Sequence, residues 1–324
     1  MRAFHRRLIE EQEDAQRHEN DNKAVVSVAE RVARARNQQN ESPSFAVMYS
    51  TLHKAASDGS ILGVEHLLQS RDVNVDDFDH TGMCPIHYAS ERGHAEVVQL
   101  LLSKQCGADV RSLDRLTALM LASKNGHTKV IELLHSHGAD LMAKNRGGLT
   151  AAHFAAQGDH ALSIETLARL FTTDLDYFAH RDQRYNGHKD SGKSKNLKEG
   201  VETSNKGSSY LKACFSRGLY HGVPIDELVC MPTNAVIDLP TSGGMRPIHF
   251  AALTDSRTAA ESLVALGVDP NVVDSIGDSP LHKAGRSCHF LLYRQLVTHG
   301  ASEIVRNAMM ESPSDLINDR DVPN

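Results

Sequence analysis

Six short segments of this 324-residue chain repeat one another at a nearly constant interval. Four read almost alike: Cys84-Pro85-Ile86-His87-Tyr88-Ala89, Thr150-Ala151-Ala152-His153-Phe154-Ala155, Arg246-Pro247-Ile248-His249-Phe250-Ala251 and Ser279-Pro280-Leu281-His282-Lys283-Ala284. Leu52-His53-Lys54-Ala55-Ala56 and Thr117-Ala118-Leu119-Met120-Leu121-Ala122 are weaker copies. The positions equivalent to the histidine are 53, 87, 120, 153, 249 and 282, so the spacings are 34, 33, 33, 96 and 33. A unit this short cannot bury an apolar face alone. Copies of it must stack, and the chain then grows in one dimension.

The residues around each copy predict the same small unit. Ser279-Pro280 offers a hydroxyl for a helix N-cap and a proline whose φ is already helical; Cys84-Pro85 and Arg246-Pro247 keep the proline. Paired alanines (Ala55-Ala56, Ala155-Ala156, Ala251-Ala252) let a first helix lie close to its neighbours. Gly59, Gly93 and Gly126, six residues after the histidine position, suit the left-handed conformation that ends a helix. A second helix follows, with Val97, Val98, Leu100 and Leu101, then Val130, Ile131, Leu133 and Leu134, then Leu263, Val264 and Leu266 on one face. Gly107-Ala108-Asp109, Gly138-Ala139-Asp140 and Gly267-Val268-Asp269 close the units with a turn.

This period and tetrapeptide resemble the ankyrin repeat, over roughly 45–171 and 241–324. The resemblance implies an all-α solenoid of stacked helix-turn-helix units with hairpin loops. Departures are Met120 for the histidine, and Asp159 and Cys288 for the helix-ending glycine. Counting 33 onward from His282 gives 315, inside Ser312-Pro313-Ser314-Asp315-Leu316-Ile317, expected as a truncated C-terminal capping unit.

Length alone would suggest about two domains. The recurrence instead divides the chain into an N-terminal arm (1–44), repeats (45–171), a flexible insertion (172–207), a degenerate repeat (208–240) with Leu211 at the histidine position, and further repeats (241–324). Within the arm, Phe4, Leu8 and Ile9 suggest one helix. Val25, Val28, Ala29, Val32 and Ala35 share one face of another, expected to cap the stack or to bind a partner. Residues 181–207 are rich in Lys, Ser, Gly, Asn and Asp and are expected to form a mobile loop.

Composition excludes other classes. Lysine and arginine number 35 against 41 acidic residues, a net charge of −6, so a generally basic nucleic-acid binder is not indicated. Five scattered cysteines form no C-x-x-C pair, and no long apolar run occurs. The expectation is a monomeric intracellular protein, cytoplasmic or nuclear, with reduced thiols, no membrane insertion, no metal and no cofactor. Nine of the 19 histidines fall on repeat positions: His53, His87, His153, His249 and His282, and, after the glycine position, His94, His127, His160 and His289. His135-x-His137 is the remaining metal candidate, without further ligands at suitable spacing.

One catalytic-looking motif occurs. Gly187-His188-Lys189-Asp190-Ser191-Gly192-Lys193-Ser194 fits the phosphate-binding pattern G-x-x-x-x-G-K-[ST]. That pattern works between a buried strand and a helix, and the flanks are polar on both sides. The resemblance implies instead a non-enzymatic scaffold or adaptor holding a protein through hairpin tips and the inner face of the first helices. A nucleotide-binding protein using Gly187–Ser194, or a regulatory subunit of an enzyme complex, stand as alternatives. Positions carried over from the resemblance are His80, Thr81, Met83, Glu91 and Arg92; Leu113, Asp114, Leu116, Lys124 and Asn125; Arg146, Leu149 and Gln157; and Ile276, Asp278, Arg286 and Ser287. Met83, Leu116, Leu149 and Ile276 are apolar where that pattern faces solvent. They are candidate anchors, or else they pack on adjacent hairpins.

Overall fold

The structure, a computed structural model, describes residues 52–69, 73–186, 219–220, 223–224 and 231–317. The N-terminal arm and the Gly187–Ser194 motif lie outside the described residues.

The recurring unit is a pair of helices. The first unit has a helix over 52–57 and α1 (Ile61–Gln69). The second has α2 (Pro85–Glu91) and α3 (Ala95–Ser103), and the third α4 (Ala118–Lys124) and α5 (Thr128–Ser136). The fourth pairs α6 (Ala151–Gln157) with α7 (Ala161–Asn186). The fifth and sixth are α8 (Pro247–Leu253) with α9 (Arg257–Ala265), and α10 (Pro280–Arg286) with α11 (Phe290–Thr298). First helices stack on first helices and second on second. The core is therefore thin layers of Ala, Val, Leu and Ile, such as Ala122, Val130, Ile131 and Leu134, all buried. Aromatics are not needed for layers this thin.

The ladder histidine fastens each layer twice. In unit two, the Cys84 N–H donates to His87 Nδ1 at 3.0 Å, while His87 Nε2 donates to the Leu116 carbonyl of the next unit at 3.1 Å. His153, His249 and His282 repeat the arrangement, taking the N–H of Thr150, Arg246 and Ser279. A second row bonds backward: His94 Nε2 to the Ser57 carbonyl (2.9 Å) and His127 Nε2 to that of Glu91 (3.0 Å). A side chain at Gly93, where φ is +77°, would meet the His127 ring at 2.5 Å, so the glycine answers both the turn and the ring. Asp159 replaces that glycine at φ 56° where the next unit carries Ser256 instead of histidine. Its Oδ1 accepts from Ala259 N–H and Thr258 Oγ1, both at 2.9 Å. Asp255 and Cys288 also stand there, at φ 54° and 60°.

The expectation of a degenerate repeat over 208–240 needs correction. α8 lies directly on α6, and α9 on α7. His153 Nε2 donates to the Met245 carbonyl at 3.2 Å, the same forward bond as between other neighbours. No layer fits between units four and five. Residues 231–240 instead supply the closing loop of unit four: a 3₁₀ turn (Ala235–Ile237) packs on α7, with Val236 and Ile237 buried. The described remainder is a two-residue antiparallel pair, β1 (Leu219–Tyr220) with β2 (Val223–Pro224), a small exception to an otherwise helical fold.

The start of the insertion also differs from expectation. α7 runs for 26 residues against nine in α3, so 172–186 continues a helix, including 181–186, expected as loop. Its extension is pinned where Phe171, Asp174 and Leu175 are buried and His135 Nε2 meets Asp174 Oδ2 at 2.9 Å. The leftover metal candidate is thus a helix latch, and among the described residues no three His, Cys, Asp or Glu side chains converge to hold a metal.

At the other end, Ser312–Ile317 holds a 3₁₀ turn (Pro313–Leu316) packed against α10. Asp315 stands at the histidine position. Its Oδ2 accepts from Ser312 N–H at 2.8 Å, as the ladder histidines accept from their own N-caps.

Candidate functional site

The hairpins between units are built by their first residue. Asp79 Oδ1 accepts from the N–H groups of Thr81 (2.8 Å) and Met83 (2.9 Å). Asn145 does the same for Gly147 and Leu149, Asp274 for Ile276 and Asp278, and Asn307 for Met309 and Glu311. A short polar side chain that closes two turns of backbone is how such a tip holds its shape without a core. Successive tips are tied by main-chain bonds, Arg146 N–H to the Asp114 carbonyl at 3.2 Å and Ala308 N–H to that of Ile276 at 3.0 Å. The tips form one continuous row.

Along that row His80, Thr81, Asp114 and Arg146 are exposed, as are Arg92, Lys124, Asn125 and Gln157 at the ends of the first helices. Glu91 is half-buried and its carbonyl is taken by His127. The apolar anchor candidates divide. Leu113 and Leu116 pack against the core, and Met83 and Leu149 are half-buried. Ile276 stays 48% exposed beside Met309 (72%) and Met310 (66%) on the next tip. Ser287 is half-buried.

Asp278 leaves the candidate face altogether, because it is fully buried. Lys283 Nζ lies 2.9 Å from Asp278 Oδ2 and 2.8 Å from Asp274 Oδ2. Arg286 Nη1 donates to Asp278 Oδ2 at 2.6 Å and its Nη2 to Glu311 Oε2 at 3.1 Å; Asn307 Nδ2 donates to Asp278 Oδ1 at 2.8 Å. Burial alone would raise the Asp278 carboxyl, but the bonds from Lys283, Asn307 and Arg286 bring it down to about 2. Arg286 is correspondingly engaged, and its bond to Asp278 raises its own pKa. This network ties unit six to the cap.

Sequence reasoning missed the residue following the ladder histidine. Tyr88, Phe154 and Phe250 are half-buried there on the first helices. Tyr88 sits edge-on to His53 and donates to Asp79 Oδ2 at 2.5 Å; Phe250 sits edge-on to His153. The signal lies in the sequence, since three of the six copies carry an aromatic at that position. Burial, with this aspartate bond, pushes the Tyr88 phenol up to about 12.

His87, His153 and His249 each accept at Nδ1 and donate at Nε2, the pattern of one uncharged tautomer. Burial holds His87 below the ordinary range and brings His153 and His249 to about 4.

The fold and the row of tips define a repeat solenoid. Family models described as "Ankyrin repeats (3 copies)" match residues 15–114 and 104–177, and one described as "Ankyrin repeats (many copies)" matches 235–284. The chain belongs to the ankyrin repeat family. Among solved structures, it is similar to the human ASB11 ankyrin repeat domain, with 20% identity and a TM-score of 0.56, covering 83% of this chain and 92% of that one. The ankyrin repeat domain of Bcl-3, described as a unique member of the IkappaB protein family, matches with 21% identity and a TM-score of 0.53, over 83% and 94%. A chain from the complex of the predatory endopeptidase Bd0816 of Bdellovibrio bacteriovorus with immunity protein Bd3460 matches with 18% identity and a TM-score of 0.50, over 76% and 97%. At these identities the likeness establishes the fold.

Proposed function

We propose that this chain is a non-enzymatic adaptor that holds a protein partner along its hairpin tips and the adjoining ends of its first helices. The observation that carries this reading is the row itself. Each tip is closed by bonds of its own main chain and first residue, while His80, Thr81, Asp114, Arg146, Arg92, Lys124 and Gln157 are exposed on it. A surface of mixed charge on a rigid stack suits a folded protein of complementary shape more than any one small molecule. No helix among the described residues is long and apolar enough to cross a membrane.

Photo-crosslinking tests the reading. A benzophenone side chain placed at Arg92, Lys124 or Arg146 should give discrete protein adducts in a native extract. The same group at Glu96 or Lys129, exposed on the second helices, should not. Adducts from the second set alone, or equally from both, would move the interface off the tips.

A further inference from the structure

We infer that the protein partner on the tip row, in the reading just proposed, presents one extended segment that is acidic at one end and apolar at the other. The hairpin tips share a backbone shape and differ in chemistry. The two before units three and four (111–116 and 144–149) carry Arg111, Arg115, Lys144 and Arg146 against a single acid, Asp114, in a chain of net charge −6. Lys144 and Arg146 are exposed. The tip before unit five (240–245) has no charged residue. The last two tips turn apolar. Val273, at the place of Arg111 and Lys144, and Ile276, at the place of Asp114, are exposed, as are Met309 and Met310 on the next tip. The bond from Ala308 N–H to the Ile276 carbonyl at 3.0 Å joins these two tips into one patch.

Two further observations mark the patch and choose its occupant. Met310 sits at φ 63°, in the left-handed position that glycine fills in four of the other five tips. A methionine is strained there relative to glycine, and its exposed side chain gains no packing in return. The charges around it are closed on one another: Lys283 with Asp274 and Asp278, Arg286 with Asp278 and Glu311, and Arg306 Nη1 on the Met310 carbonyl at 2.8 Å. The complement of such a patch is an apolar group, whereas the complement of Lys144 and Arg146 is a carboxylate. Three layers of about 10 Å separate the Arg146 and Met309 tips, the span of about ten extended residues. An anionic bilayer calls for cations turned outward beside the apolar tips, and Arg286 and Arg306 are already engaged there.

Selection of a random dodecapeptide library on the full chain tests the assignment. Enriched peptides should gather Asp and Glu at one end and Leu, Ile, Met or Phe at the other. Lys144→Glu with Arg146→Glu should weaken an enriched peptide at least about tenfold. A copy of that peptide with lysine for its acids should bind this variant better than it binds the unaltered chain. Ile276→Ser, Met309→Ser and Met310→Ser together should also weaken the enriched peptide at least about tenfold, with the circular dichroism of the chain unchanged. No enrichment, enrichment of peptides without acids, or binding that ignores either set of substitutions would overturn the inference. So would self-association, or binding to phosphatidylserine vesicles, that disappears with Met309→Ser and Met310→Ser. If the inference fails while benzophenone at Arg146 still captures discrete proteins, the tip-row reading stands with a partner of different chemistry. Failure of both removes that reading as well.

Discussion

His153 donates from Nε2 to the main-chain carbonyl of Met245, 92 residues further along the sequence, at 3.2 Å. The bond has the same partners and geometry as those joining units that follow one another directly, such as His249 to Asp278 at 3.1 Å. The insertion therefore leaves the stack from the second helix of unit four and returns to the loop that closes the same unit. One row of hairpin tips runs through both halves.

Removing that bond should reveal how much the joint depends on it. His153→Ala leaves the Thr150 N–H and the Met245 carbonyl buried without this partner, at a cost of about 2–4 kcal/mol. Because a solenoid couples only nearest neighbours, urea unfolding followed by circular dichroism should separate into two transitions. A single transition at the original midpoint would show that the joint does not rely on the histidine.

The opposite change is available in unit three. Met120 occupies the ladder position, so neither Thr117 N–H nor the Leu149 carbonyl meets an imidazole there. Met120→His should restore both bonds and raise stability by about 1 kcal/mol, read as a higher urea midpoint with unchanged slope. A loss of stability would mean that the methionine fills volume that a ring cannot.

Acid should loosen the stack. His153 and His249 stay neutral down to about 4 in the fold, while an unfolded histidine takes its proton near 6.5. Their contribution is complete above pH 6.5 and is lost as pH falls toward about 4, about 3 kcal/mol for each. Asp140 works the other way: burial pushes its carboxyl up to about 6 from 3.8, so the fold gains as pH drops through that range. These three groups together should give a net loss of about 3–4 kcal/mol between pH 7 and pH 4 by urea denaturation, steeper in Asp140→Asn, and His87, also lowered by burial, adds in the same direction. A flat profile would contradict the neutral ladder.

The buried carboxylate of unit six should be the costliest single site. Asp278→Ala leaves Lys283 with Asp274 alone, Arg286 with Glu311, and an empty space beside Asn307. Breaking such a network from one side costs about 3–5 kcal/mol. Hydrogen exchange should localise the loosening to α10 and the 312–317 cap; an unperturbed cap would show that the network does not hold it.

Much of this was legible in the chain because each feature depends on near neighbours. The Ser279-Pro280 cap, the glycine at 93 or 126 and the aliphatic second helices are local, so period and residue type suffice. The missed features are long-range. Asp278 reads as a polar hairpin residue until Lys283, Arg286 and Asn307 are brought to it. Asp174 reads as an ordinary charge in an insertion until α7 carries it to His135. A degenerate repeat over 208–240 rests on apolar spacing alone, which cannot tell a layer of the stack from a loop that closes one. The candidate face was readable only as positions; which of Met83, Leu116, Leu149 and Ile276 remain exposed depends on how the hairpins settle against one another.

The continuity of the stack is most directly measured by spin labels at Gln157 and Leu253, equivalent exposed positions in units four and five, in a background where Cys214, Cys230 and Cys288 are serine. Dipolar broadening should match that of the pair Lys124 and Gln157, which spans two units adjacent in sequence, at a layer spacing of about 10 Å. A separation near twice that value, the distance across an intervening repeat, would contradict the account.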